Sequence, residues 1–197
     1  PTSEIGIFQI GSTGLPPVAN PSEWFLEEYP AEVPGRVVVT AVEGQRPILL
    51  ELQALVSRTN FGYPQRVSSG FDLRRLNLLL AILEKRQRLE LGQQDVFINL
   101  VGGLRLEDPA LDLGLAAAVI SSLEDVPIKE KLVVIGELGL SGEVRAVSYV
   151  EHRVAEAKKL GFTEIILPKR NRSGLKLDGV KLHGIERLAD LPALALI

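Results

Sequence analysis

The sequence predicts an α+β domain built on a mixed sheet, and three observations carry that expectation. Residues 36–57 are rich in Val, Ile and Leu and are broken once by a Glu-Gly-Gln-Arg turn at 43–46. Residues 71–91 repeat leucine at helical spacing. From residue 95 onward, short apolar runs alternate with longer helical ones, separated by glycines. With 46% hydrophobic and 24% charged residues in 197, the chain has the composition of a folded protein and not of a disordered one.

The elements follow in order. EIGIFQI at 4–10 reads as a strand and 11–21 as a Gly/Pro-rich loop. Ser22 is placed to cap a short helix over 24–28, which Pro30 and Pro34 stop. Residues 1–34 therefore read as the end of a preceding domain plus a linker, and 35–197 as the main domain. Strands at 36–42 and 47–57 make a hairpin. The 71–91 helix has Asp72 in its first turn, Leu73, Leu76, Leu79, Leu80 and Leu83 at helical spacing, and Gly92 at its end. A strand at 95–101 precedes a small-residue helix at 109–123 with Ala116, Ala117 and Ala118 in its middle. Short strands at 132–135 and 143–147 flank a glycine-punctuated turn. A helix at 149–160 closes on Gly161, a buried strand covers 163–167, and a strand at 180–183 leads into a helix at 185–194.

Several chemistries are excluded. No apolar run approaches the roughly 18 residues needed to cross a bilayer, and no signal-peptide pattern opens the chain, so no membrane association is expected. Cysteine is absent, which removes disulfides and thiolate metal sites and suits a cytoplasmic protein. Methionine is absent too, even at position 1, so Pro1 is expected to mark a processed chain or an excised fragment. There is no G-x-x-x-x-G-K-[ST] phosphate loop, and the glycines of GELGLSG (136–142) have the wrong offsets for a dinucleotide fingerprint. His152 and His183 lie far apart and lack thiolate companions, so no metal is expected. A Ser-His-Asp triad assembles in space, so spacing does not decide it, but no nucleophile-elbow sequence is present. A net charge of −3 and pI of about 5.6 argue against strong autonomous nucleic-acid binding and place any such role in a local patch.

Two stretches carry a resemblance. They are VGGLRLEDPALDLGLAAAV at 101–119 and GELGLSGEVRAVSYVEHR at 136–153, followed by IILP at 165–168. Their order and spacing resemble the proteolytic domain of the Lon family, where a D-G-P-S-A-G segment carries a nucleophilic serine. A later G-E-x-x-L-x-G-x-V-x-P-I-G-G-x-K segment carries the lysine that activates it. Such a serine needs a neutral amine beside it. Matched on Pro109, the serine position falls on Ala110; matched on Gly136, Glu137, Leu140, Gly142 and Val144, the lysine position falls on Glu151. Ser148 and Tyr149 stand in place of the paired glycines. The resemblance thus implies a fold like the Lon proteolytic domain and ribosomal protein S5 domain 2, with both halves of the dyad lost.

That loss, with PALD at 109–112, is similar to the Lon-like domain of the RadA/Sms family of bacterial DNA-repair ATPases. TNFGYPQRVSSG (59–70), RLNLLLAILEKR (75–86) and DVFINLVGG (95–103) agree, and TSEIGIF at 2–8 looks like the last strand of that family's RecA-like ATPase core. The resemblance implies a non-proteolytic, non-enzymatic scaffold that forms a homo-hexamer ring and contacts single-stranded or branched DNA for a recombination and branch-migration motor. A RecA-type recombinase is the protein partner it suggests. It assigns no cofactor to this sequence; ATP, magnesium and zinc would belong to segments ahead of it.

The DNA-contacting residues expected on that basis are Arg58, Arg66, Arg74, Arg75, Lys85, Arg86, Arg88 and Arg105. At about 100° per residue, Arg74, Lys85 and Arg88 share one stripe of the 71–91 helix, with Arg75 and Arg86 on its neighbour. The bland alternative is a solvated face opposite the leucines, partly balanced by Glu84 and Glu90. Gly102 and Gly103 beside Arg105 suit a tight turn or a retained peptide groove. Asp112 and Glu151 are expected as polar fillers of the vacated site, KRNR at 169–172 as an exposed loop, and Trp24 and Phe25 as linker packing. Two rivals remain: a peptidase with a shifted dyad (Ser121 or Ser148 with Lys129 or Lys158), and an oligomerisation module without DNA contact.

Overall fold

The computed structural model describes residues 8, 14, 18, 20–26, 33–60 and 62–197. A short helix, α1 (Pro21–Leu26), precedes the hairpin β1 (Arg36–Glu43) and β2 (Arg46–Arg58). The hairpin is in register from Arg36 opposite Gln53 to Glu43 opposite Arg46. β3 (Arg66–Ser69), α2 (Leu73–Gln87) and β4 (Gln94–Leu100) follow. A 3-10 turn (Pro109–Leu111) runs directly into α3 (Asp112–Glu124). The second half comprises β5 (Leu132–Val134), β6 (Glu137–Leu138), β7 (Val144–Arg145), α4 (Val150–Lys159), β8 (Glu164–Pro168), α5 (Lys169–Arg172) and β9 (Lys181–Ile185). A 3-10 turn (Leu188–Asp190) then leads into α6 (Leu191–Ala195).

Seven strands form one sheet in the order β3-β4-β2-β1-β5-β8-β9, and β6 and β7 form a separate ribbon. Every neighbouring pair in the large sheet is parallel except those made by β2, which runs against both β1 and β4. The sheet is therefore mixed and mostly parallel, in keeping with the α+β class. Its central strands are buried on both faces and read as continuous apolar runs. The period of two sends Val37, Val39, Leu50, Leu52 and Val134 to the face packed by α2 and α3. It sends Val38, Leu49, Val133 and Ile165 to the other, where α4 contributes Val154 and Ala157.

Helix α3 is buried continuously from Asp112 to Ser121, so it is a core helix and not an amphipathic one. Its small residues allow close approach to the sheet: a Cβ on Gly114 would overlap Val39 Cγ1. Side chains near its C-terminal end stitch it to the hairpin, with Gly35 N donating to Ser121 Oγ at 2.8 Å and Val56 N to Ser122 Oγ at 2.9 Å.

Several boundaries differ from expectation. Helix α2 spans 73–87, not 71–91: Asp72 caps it by accepting from Arg75 N at 2.8 Å, and Arg88 ends it in the left-handed conformation at φ 60°. Strand β3 was not expected, because four residues reading RVSS carry little strand signal until β4 supplies the hydrogen-bond partners. Helix α1 begins at Pro21, so Ser22 lies inside it and accepts from Leu49 N at 3.0 Å instead of capping. The expected 185–194 helix is split into the end of β9, a 3-10 turn and α6, and the expected loop at 169–172 is a helical turn. Of the two short strands expected at 132–135 and 143–147, the second is only two residues long. The strand expected at 4–10 lies outside the described residues, apart from Phe8.

Gly35 has a φ of +80°, and a Cβ there would overlap the Ala54 carbonyl oxygen; Gly161 has a φ of +81° with open space around it. Gly35→Ala is expected to cost about 2–4 kcal/mol in urea unfolding, and Gly161→Ala only about 1 kcal/mol. Equal losses would show that backbone strain alone matters at Gly35.

Candidate functional site

The segment from Glu107 to Asp112 holds Ala110, the position that the resemblance aligns with a nucleophile, and Asp112. Asp108 caps the 3-10 turn, its Oδ1 accepting from Ala110 N at 2.9 Å. Its Oδ2 accepts from Val42 N at 2.9 Å and from Arg153 Nη2 at 2.7 Å. Arg153 is 1% exposed. The guanidinium also donates from Nη1 to Thr40 O at 2.7 Å and from Nε to Ser148 O at 2.9 Å. All three of its nitrogens are thus engaged, which is the condition for burying a charge in a low-dielectric core. One carboxylate therefore holds the Ala110 turn, strand β1 and helix α4 together.

Ala110 is fully buried and has no nucleophilic group. Glu151 is exposed on α4 and does not fill the vacated site. The residue buried from that helix is Arg153, two positions on, which sits in the Val150, Arg153, Val154, Ala157 stripe. The stripe was legible in the sequence, since Val150, Val154 and Ala157 at helical spacing put Arg153 on the packed side, but its partner was not. A polar cleft lined by Val42, Glu43, Asp108, Pro109, Ser148 and Tyr149 opens beside the pair.

Asp112 is a buried polar residue with a partner of its own. It is 1% exposed and takes a bidentate contact from Arg75, whose Nε lies 3.0 Å from Oδ1 and whose Nη2 reaches Oδ2. Leu138 N donates to Asp112 Oδ2 at 3.0 Å, and Arg75 Nη2 donates to Leu138 O at 3.1 Å. Burial pushes the Asp112 carboxyl above the usual carboxylate range, against the pull of Arg75 and the Leu138 amide. The hydrogen bond to Asp112 raises Arg75 in turn. The pair locks α2 and α3 onto β6.

The expected DNA-contacting residues divide into two groups. Arg75 and Arg86 lie eleven residues apart on α2, about 20° apart in projection, so both overlook the β6–β7 ribbon. Arg75 is held by Asp112, and Arg86 Nε donates to Leu140 O at 3.1 Å. Arg66 is also committed: Nη2 donates to Leu91 O at 2.7 Å and Nη1 to Gln94 O, tying β3 to the entry of β4. Burial lowers the Arg66 pKa. Arg105 is 75% exposed and 3.9 Å from Glu107. Arg58, Arg74, Lys85 and Arg88 are exposed like Arg86 and Arg105, but make no such contact among the described residues.

The remaining candidates resolve simply. Ser121 Oγ donates to Val126 O at 2.5 Å besides accepting from Gly35, and Lys129 Nζ donates to Leu194 O at 2.8 Å. Ser148 precedes α4 and Lys158 lies near its far end, roughly 13 Å along the axis. Gly102 faces the buried Phe25 ring, while Trp24 is half-exposed. His183 Nε2 lies 2.7 Å from Glu164 Oε2. Among the described residues, no group of three or more His, Cys, Asp or Glu is placed to hold a metal, and no helix is long and apolar enough to cross a membrane.

A family model described as subunit ChlI of Mg-chelatase matches residues 77–171, from α2 into α5. Over 190 residues, 96% of its length, the chain is 47% identical to DNA repair protein RadA of Halalkalibacterium halodurans. It is 46% identical over the same share to DNA repair protein RadA of Bacillus subtilis. Against that of Streptococcus pneumoniae it is 47% identical over 176 residues. Each match takes in 42% of the relative, so the chain spans about two fifths of the length of the curated relatives it matches.

Removing Arg75 leaves a buried carboxylate unpaired. Arg75→Ala is expected to cost about 3 kcal/mol at pH 7, the low end of the range for breaking a buried pair because Arg75 itself is 30% exposed. An acid whose folded pKa is raised gives stability that is fully present below its unfolded value, about 3.9, and lost as pH rises through the folded one. Without Arg75 that upward shift grows, so the deficit of the variant should shrink as pH falls toward 4 in urea titrations. A pH-independent deficit would show that Asp112 is not the group left behind.

Proposed function

Because this chain is RadA-like over nearly its whole length, we propose that it serves a DNA-repair ATPase as a non-proteolytic, Lon-like platform. In this reading, residues 35–197 form the platform and 1–34 the end of a RecA-like core with its linker. The platform joins a homo-hexamer ring and lays exposed cations along single-stranded or branched DNA. A RecA-type recombinase is the partner the reading favours, and the cytoplasm its setting. Nucleotide and metal chemistry is left to other segments, since neither the 77–171 stretch nor the rest of this chain contains a G-x-x-x-x-G-K-[ST] loop.

The observation that carries the reading is the chemistry at the two resemblance-derived dyad positions. Ala110 is buried without a hydroxyl, Glu151 is exposed, and the adjoining interior is taken by Arg153 and Asp108. No side-chain amine stands at either position, and the buried Arg153 side chain is a guanidinium, which has no lone pair to serve as a general base. The shifted-dyad rival is disfavoured by Ser121, whose hydroxyl is buried and engaged on both sides, and by the separation of Ser148 from Lys158. No labelling by a serine-directed fluorophosphonate is expected; stoichiometric labelling would restore the peptidase reading.

For DNA, the free cations are Arg58, Arg74, Lys85 and Arg88, and the committed ones are Arg66, Arg75 and Arg86; Arg105, loosely paired to Glu107, is a secondary candidate. The triple variant Arg74→Gln/Lys85→Gln/Arg88→Gln is expected to weaken binding to a branched oligonucleotide and to lower the slope of log K against log salt by up to about 3, without loss of thermal stability. Unchanged binding and slope would move the DNA contact off this surface. Binding by neither protein, with rings still formed, would leave an assembly module alone.

A further inference from the structure

The segment between β2 and β3 carries a feature that the basic helix does not explain. Its feet are pinned to one short stretch: Thr59 N donates to Gln93 O at 3.0 Å, and Gln65 N donates to Asp95 Oδ1 at 2.7 Å. β4 lies between β2 and β3, so the two feet stand two strand spacings, about 10 Å, apart on either side of its entry. Between those feet, Tyr63 is 90% exposed, the highest exposure of any large apolar side chain among the described residues. An aromatic ring so placed gives no burial energy to the fold.

The surroundings are polar and of mixed charge, Arg58 sharing a groove lining with Glu90. Arg58 continues the side of β2 that faces α2, since it shares parity with Ala54 and Val56. With Glu90, Gly92, Gln93 and Gln94 it lines this open groove at the foot of the segment. Arg66 ties the segment to the turn after α2 through the Leu91 and Gln94 carbonyls, and that turn begins at exposed Arg88. An exposed ring, an exposed guanidinium and glutamine amides beside an open groove are what a nucleic-acid single strand needs. Its bases have free faces to stack, its phosphates seek cations, and its edges seek amides. Duplex DNA offers no free base face to such a ring.

We propose that Tyr63 stacks on one unpaired base of single-stranded DNA, while Arg58 takes the adjacent phosphate and the Gln93–Gln94 groove receives the neighbouring nucleotide. This deepens the DNA-platform reading and rests on it: the segment is the point at which the platform distinguishes an opened strand from duplex.

The test uses the full 197-residue chain, as wild type, Tyr63→Ala, Tyr63→Phe and Arg58→Gln, titrated by fluorescence anisotropy. The probes are a labelled oligo-dT, an abasic oligonucleotide of equal length and a duplex. Tyr63→Ala is expected to weaken oligo-dT binding about tenfold with an unchanged salt slope, to leave duplex binding alone, and to retain the wild-type thermal midpoint. Tyr63→Phe should bind as wild type. Wild type should lose the same factor on the abasic strand, where Tyr63→Ala loses nothing more. Arg58→Gln should lower the salt slope by about 1. The proposal is overturned if Tyr63→Ala matches wild type on oligo-dT, if Tyr63→Phe fails like alanine, or if abasic and dT strands bind equally. Duplex binding without single-strand binding would overturn it and leave the platform reading intact. Failure to bind any DNA would overturn both.

Discussion

The burial of α3 against the β1–β2 hairpin is the contact on which the other elements depend. The helix is apolar around its whole circumference, so it has no solvent face and only one place to go. Gly114 lets it approach Val39 at a distance that any side chain would prevent. Its N-terminal end then delivers Ala110 and Asp112 to opposite neighbours. Gly136 N donates to the Ala110 carbonyl at 2.9 Å, Leu113 N donates to the Gly136 carbonyl at 3.0 Å, and Asp112 accepts from Arg75. Its C-terminal end anchors the hairpin through Ser121 and Ser122. Strands, ribbon and α2 are thereby referred to a single rigid core.

Two arginine–carboxylate pairs then do in this domain what apolar residues could not. Desolvating a guanidinium costs several kcal/mol, and the cost is recovered only when its nitrogens find partners. Arg153 meets that condition through Asp108, Thr40 and Ser148, which lie on three separate segments. A leucine at 153 would fill space without specifying which carbonyl it faces. The pair therefore sets the register of α4 against β1 and the 3-10 turn, in the region where the resemblance locates a lost catalytic dyad. Arg75 and Asp112 set α2 against β6 by the same logic, with less desolvation because Arg75 is partly exposed.

This commitment of arginines matters for electrostatics. The chain carries a net charge of −3, so an anionic ligand is attracted only where cations are concentrated and unpaired. Arg75 is neutralised by Asp112, while Arg66 and Arg86 keep their charge but are tethered to backbone carbonyls. The free cations of α2 are Arg74 and Lys85, on the stripe turned away from the β6–β7 ribbon, together with Arg88 at its cap. Arg58 adds another at the end of β2. The basic character of the helix is thus narrower in space than in sequence.

Much of the architecture was legible because it rests on local periodicity. The leucine spacing of α2, the alternation of β1 and β2, the small-residue run of α3 and Gly161 after α4 each follow from the residues present and the geometry of helix or strand. Alanine at 110 and glutamate at 151, the positions that the resemblance aligns with a serine and a lysine, carry neither a hydroxyl nor an amine, and that much is in the sequence. What only the tertiary structure decided was the partner of each charge. Helical projection places Arg75 and Arg86 beside Arg74 and Lys85, but it cannot know that the β6–β7 ribbon covers one stripe and not the other. Nor can it know that Asp108, 45 residues away, waits for Arg153, or that β4 will lend hydrogen bonds to a four-residue β3. Periodicity is a property of neighbours along the chain, whereas pairing of charges and edges depends on which distant segments the core brings together.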